Sequence, residues 1–208
     1  MRRTVISIAF LLLSGCASMS PQQCLRGDWT GQGLSDGLEG LPLSRLTDHA
    51  KACAKSGVAP DEALYRQGRE QGLAGYCTPD HAFLVSRLGE HYRGVCPPDS
   101  EPAVLTAFAN GGLVHSFETR LTLLTMEIAN TEARADKAER DARDVRKQLR
   151  NDNLTTAQRG ELEDRLDHLL SKRSRSREAR WQAEADKRDA ERDLEELKVR
   201  LQSDYGAW

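Results

Sequence analysis

From Val114 onward the apolar residues fall into a 4-3 rhythm: Val114, Phe117, Leu121, Leu124, Ile128, Thr131, Ala135, Ala138, Ala142, Val145 and Leu149. That spacing lays one narrow stripe along a helix for about five heptads, and its later part is almost wholly polar outside the stripe. Asn151-Asp152-Asn153 breaks the rhythm, and Thr155-Thr156-Ala157-Gln158 has the spacing of a capping box that opens another helix. The stripe of this helix is Leu162, Leu166, Leu169, Arg173, Ser176, Arg180, Ala183, Lys187, Ala190, Leu194, Leu197 and Leu201. So short a turn forces the helices antiparallel, with facing positions whose numbers add to about 311. Val145 then meets Leu166, Ala142 meets Leu169, Phe117 meets Leu194 and Val114 meets Leu197. The middle is weak, because Ala135 and Ala138 face Ser176 and Arg173, while Thr131 faces Arg180. The simpler expectation is that long Arg and Lys stems cover a narrow alanine track. The sharper one is a docking strip, or two hairpins meeting in a four-helix bundle.

Upstream, the segment Leu43–Cys53 puts Leu46, Ala50 and Cys53 on one helical face. Pro60, Asp61 and Glu62 open a second helix with acids in its first turn. On that helix Tyr65, Gly68 and Gly72 form a close-packing face that ends at Tyr76-Cys77. Gly31, Gly33, Gly37 and Gly40 are expected to serve positive-φ turns or close backbone contact. A nucleotide loop is excluded, since Asp36 stands where G-x-G-x-x-G needs glycine. An Asp-lined calcium loop lacks the alternating oxygen ligands of an EF-hand. Thr78–Cys96 is expected to be loop-rich, with a short hairpin through Ala82–Val85 and Tyr92–Val95. Ser100-Glu101-Pro102 marks a helix start, and Gly111-Gly112 either interrupts that helix or marks a close crossing. The last residues, 205–208, are expected to fray.

The N-terminus changes the compartment. A basic start, Met1-Arg2-Arg3, precedes the apolar run Val5–Leu13, which is too short for the roughly 20 residues of a membrane span. Leu13-Ser14-Gly15-Cys16 resembles the bacterial lipobox, so residues 1–15 are expected to be a signal peptide and Cys16 the acylated N-terminus of residues 16–23. Ala17, in place of the Asp that retains many lipoproteins in the inner membrane, points by resemblance to the outer membrane, facing the periplasm. The expected partners are therefore a membrane, reached through the lipid, and an envelope protein or the cell wall.

Charge refines this picture. The formal net charge of −2 over 208 residues offers no general affinity for nucleic acid. Residues 118–204 carry 20 Lys and Arg against 21 Asp and Glu, so the arm is densely ionic with cancelling signs. Cys24, Cys53, Cys77 and Cys96 make an even set in an oxidising compartment, hence two disulfides. Four cysteines allow three connectivities, and local closure favours Cys24–Cys53 with Cys77–Cys96. Zinc is disfavoured for want of C-x-x-C or H-x-x-x-H spacing, and neither a metal nor another cofactor is expected.

Candidate chemistry is sparse. Asp28, Asp36, Asp48, His49, His81, Glu90 and His91 are ionisable, and Ser35, Ser44, Ser56 and Ser86 lack the context of a nucleophile. No catalytic residue is assigned and no enzymatic activity is expected. Trp29, Asp36, Tyr65, Tyr76 and Tyr92 are the candidates for a binding face, with core filling as their simpler role.

Cys24, Gly27-Asp28-Trp29, Asp36-Gly37, Gly40, Cys53, Tyr65, Gly68-Arg69, Gly72-Leu73, Tyr76-Cys77-Thr78, Tyr92 and Gly94-Val95-Cys96-Pro97 form one spaced pattern. Over about residues 20–125 this resembles an uncharacterised bacterial lipoprotein family, domain of unknown function 2799. The resemblance implies a periplasmic lipoprotein and brings no substrate. The expected chain is mainly α: a small disulfide-stapled helical head at 24–100, then a long antiparallel coiled-coil hairpin at 101–204 turning near 151–155. The function expected is structural or interactive, the alternative being a periplasmic head that binds a glycan or small ligand. Homo-oligomers through the hairpin are the further option.

Overall fold

The structure, a computed structural model, describes residues 18–206 and Trp208. The expected leader, residues 1–15, and the lipidation site Cys16 lie outside the described residues. Seven helices and no strand occur among the described residues. They are α1 (Pro21–Arg26), α2 (Trp29–Leu38), α3 (Arg45–Ala54), α4 (Glu62–Tyr76), α5 (Pro79–Arg87), α6 (Glu101–Leu149) and α7 (Thr156–Tyr205). The chain forms two compact units: one runs to Ala82 and adds His91–Ala107, the other takes Phe83–Glu90 and Phe108–Trp208.

In the first unit the glycine-spaced segment is a helix as far as Leu38, with Gly33 and Gly37 in close backbone contact, and only Gly40 beyond it takes a positive φ, of 61°. Asp28 Oδ1 caps it by accepting the Gly31 N–H at 2.8 Å, and Asp61 Oδ1 caps α4 by accepting that of Leu64 at 3.0 Å. Glycine costs a helix roughly 1 kcal/mol per position relative to alanine. What offsets that cost is contact. Gly33 and Gly37 on α2 lie against Gly68 and Gly72 on α4, so a Cβ on Gly68 would run into the Thr30 carbonyl, and one on Gly33 into that of Tyr65. Each helix thus spaces two glycines four apart, and the two backbones touch with no side chain between them.

Around this crossing, Met19, Cys24, Trp29, Cys53 and Tyr65 form a small core, packed by Leu43, Leu46, Ala52 and Val58. Cys24–Cys53 ties α1 to α3 with Cα atoms 5.3 Å apart, and Cys77–Cys96 ties the end of α4 to the segment between α5 and α6 at 5.5 Å. Each closes a loop worth about 3 kcal/mol by the chain-entropy estimate, a large share of the stability of so small a unit.

The hairpin expected through Ala82–Val85 and Tyr92–Val95 is absent. Ala82–Val85 lies within α5, whose start carries strong helix signals: the Thr78 hydroxyl accepts the His81 N–H at 3.3 Å, Pro79 takes the first turn and Asp80 follows. A run of four apolar residues is ambiguous between strand and helix, and here the cap decides.

In the second unit α6 and α7 pair as the antiparallel hairpin. Ala142 and Val145 pack with Leu169, and Leu124 with Ala183 and Ala190. Every stripe position from Val114 to Leu149 and from Leu162 to Leu201 is buried or half-buried. The weak middle is covered by long arginine side chains whose heads pair across the seam: Arg173 bonds Glu139 and Arg180 reaches Glu132 at 3.4 Å, both within a residue of the expected register. Thr131, also buried, satisfies itself by donating to the Glu127 and Ile128 carbonyls. α6 passes uninterrupted through Gly111-Gly112, and Gly111 sits beneath the Phe83 carbonyl, so of the two readings the close crossing holds. Tyr205 and Trp208 do not fray: the Tyr205 ring stacks on Phe83 at 4.2 Å, Trp208 meets Phe83 at 5.1 Å, and Arg87 lies 4.7 Å over the Trp208 ring.

Two outcomes follow from this packing. Gly68→Ala should lower the melting temperature of the first unit by about 10 °C or more. Gly160→Ala, in an α7 site with open space around it, should stabilise by about 0.5–1 kcal/mol. Thermal denaturation followed by circular dichroism checks both. On the arm, Arg173→Ala should lower the melting temperature by about 2–4 °C, whereas Arg173→Met should leave it nearly unchanged. Equal losses from both variants would assign the effect to the charge and not to the stem.

Candidate functional site

The polar centre of the first unit grows out of the glycine crossing. Asp36 precedes Gly37 on α2, so the close approach carries its carboxylate out of water; it is 3% exposed. A buried carboxylate needs donors, and Asp36 has three. Tyr65 OH donates to Oδ2 at 2.7 Å, His49 Nε2 to the same oxygen at 2.7 Å, and Gln32 Nε2 to Oδ1 at 2.9 Å. The other ring nitrogen of His49, Nδ1, is hydrogen-bonded to the Ser18 hydroxyl at 2.9 Å. Burial, then the bond to Asp36 and its charge, push the Tyr65 phenol well above its ordinary value of 10.

Ser18, His49 and Asp36 therefore stand in the order of a nucleophile, a base and an orienting acid. Other features argue against that chemistry. His49 is fully buried with both nitrogens engaged, and Asp36 is saturated by three donors. The neighbouring amides of Ser20 and Gln23 are spent in the capping box of α1. The arrangement is a satisfied buried network whose outlet toward solvent is the half-buried Ser18.

The face expected of Trp29, Asp36, Tyr65, Tyr76 and Tyr92 is not an open one. Trp29, Asp36, Tyr65 and Tyr76 are buried, and only Tyr92 is half-exposed. Trp29 and Tyr65 fill the core, Tyr76 lies against the His81 ring at 4.8 Å, and the Tyr92 hydroxyl donates to Glu101 at 2.9 Å. In a unit with so little Leu and Phe the aromatics go inside, because they carry the largest apolar area. Asp36 and Tyr65 do come together, but as core partners. Cys24, Cys53, Cys77 and Cys96 are all oxidised. Asp48 is exposed beside Arg45 and plays no part in the His49 network. Sequence reasoning missed Ser18, which falls in the stretch assigned to a linker; the nearest available signal was Ser20-Pro21-Gln22-Gln23, whose capping-box spacing orders the chain from Ser20 onward. A shallow polar depression of about 220 Å³ opens beside the network, lined by Met19, Gln23, Arg26, Asp28, Gly31 and Gln32.

Tyr65 makes the network measurable. A phenol whose pKa is raised in the folded state contributes stability that is present below pH 10 and is lost as pH rises beyond it. Tyr65→Phe should cost about 2 kcal/mol at neutral pH and make the alkaline loss of stability shallower. Urea denaturation at neutral and alkaline pH checks both signs.

Neither the curated proteins nor the solved structures contain a match to this chain. A family model does match, across a stretch that holds Asp36, His49, Tyr65 and the glycine crossing: residues 28–112 are similar to the family described as a protein of unknown function, DUF2799.

Proposed function

We propose that this protein is an outer-membrane-anchored periplasmic lipoprotein of structural or interaction type, which presents a disulfide-stapled head and a coiled-coil arm to an envelope partner. The observation that carries the reading is the arm. α6 and α7 run for 49 and 50 residues, roughly 75 Å at 1.5 Å per residue, around a seam one side chain wide. A hairpin of that length buries little and reaches far, which suits a spacer or a docking rod better than a catalytic scaffold. Its outer faces keep Leu123, Met126 and Trp181 exposed amid the charged residues, the kind of isolated apolar anchors that a partner covers.

The compartment rests on Leu13-Ser14-Gly15-Cys16 and on the two disulfides, which an oxidising space sustains. The burial of Trp29, Tyr65 and Tyr76 counts against the alternative, a head that grips a glycan on an aromatic face.

Cys16→Ser should move the protein from the membrane to the soluble fraction of the envelope. Photocrosslinkers placed at Leu123, Met126 and Trp181 should capture one discrete envelope protein or cell-wall fragment in intact cells. Silence from all three positions, with the protein present at normal level, would remove the arm from the proposal.

A further inference from the structure

We infer that the first unit seats directly on a phospholipid surface, with its Ser18 end against the headgroups and no tether between. The inference rests on the acylated-Cys16 reading above and adds a geometry to it. Only Ala17 separates Cys16 from Ser18, and two steps of extended chain span at most about 7 Å. Ser18 is not slack: its hydroxyl is held by His49, which is held in turn by Asp36, and Met19 next to it is buried in the core with Cys24 and Cys53. An acyl anchor on Cys16 therefore brings this end of the unit to the bilayer, where a lipoprotein with a long linker would float free.

The surface at that end fits the role. α1 begins three residues beyond Ser18 and exposes Pro21, Gln22, Leu25 and Arg26, with Leu25 69% exposed beside a basic neighbour. An apolar side chain next to an arginine, on a short surface helix, suits the boundary of headgroup and acyl chain. α3, which carries His49 and is joined to α1 by Cys24–Cys53, carries Arg45, paired with Asp48 at 3.7 Å, and the exposed Lys51. Together the two helices hold three cations against one acid, Asp48, in a unit that is otherwise mostly acidic. Anionic headgroups complement that pair of helices. The buried Asp36–His49 pair thus acts as the socket that seats the anchored end.

The test uses the full lipidated chain in vesicles of phosphatidylethanolamine and phosphatidylglycerol whose acyl chains are brominated near the headgroup end. A Leu25→Trp reporter is compared with the chain lacking it. The emission added by that tryptophan should be quenched about twofold or more by the brominated lipid. A Gly/Ser insert of about six residues between Ala17 and Ser18 should largely abolish the quenching while the protein still sediments with vesicles. Ser18→Ala should reduce it in the same direction. An acylated, vesicle-bound chain whose added emission is unquenched overturns the seat and leaves the anchor standing. Quenching that the insert does not change overturns it as well. Mass spectrometry showing no acyl group on Cys16 overturns the anchor, and the seat with it.

Discussion

Two helix backbones in contact set the terms for the whole first unit. Where Gly33 and Gly37 lie against Gly68 and Gly72, no side chain separates α2 from α4, so whatever flanks the glycines is carried inward with them. Asp36 is one such flank and Tyr65 another, three residues before Gly68. A carboxylate taken out of water at that point costs several kcal/mol unless donors surround it. Tyr65, His49 and Gln32 supply them, from α4, α3 and α2 itself. The glycine crossing thus dictates the polar core, and the polar core recruits α3. The Cys24–Cys53 bond then brings α1 alongside.

The arm obeys a different rule. Its seam is continuous but thin, with leucines and valines toward both ends and alanine or threonine in the middle. Alanine lets the helices approach yet buries little area, so the flanking ion pairs and the stems of Arg173 and Arg180 close the sides. The bond from Arg173 is the chief reason the Glu139 carboxyl is held below its ordinary range, and Arg146 and Arg143 add to it. Such exposed pairs contribute modestly to stability. At the far end of the unit, Tyr205 and Trp208 on Phe83 and Arg87 close the hairpin where the coiled coil runs out.

Periodic features were legible and conjunctive ones were not. A stripe repeated over many heptads identifies its own helix, partner and register, because every position votes for the same phase; hence the agreement from Val114 to Leu201. The glycines of α2 were seen but could not be phased alone. Only beside Gly68 and Gly72 does their four-residue spacing become a crossing and not a turn. The aromatic residues of the head were visible as bulk, and whether bulk faces in or out depends on how much other apolar material is available to the core. His49 looked unremarkable next to Asp48, its neighbour in sequence, because its true partner stands thirteen residues earlier on another helix. Ser18 carried no pattern of its own, and its place follows from the ring nitrogen that needs a partner.

A hydrophobic trio at Asp36, His49 and Tyr65 would be simpler to build, and buried polar groups are often replaceable without loss of stability. What an apolar core cannot supply is direction. Each bond in this network has a donor and an acceptor that must match: one His49 ring nitrogen is held by the carboxylate, and the other is left for a single hydroxyl. That nitrogen can be met in one way by a chain entering from the N-terminal side, with a hydroxyl at residue 18 and an apolar side chain at residue 19 filling the space beside the disulfide. An apolar socket would admit the same segment in several registers. The polar one admits it in a single register, and so converts a stretch with no helix of its own into a fixed point of the fold.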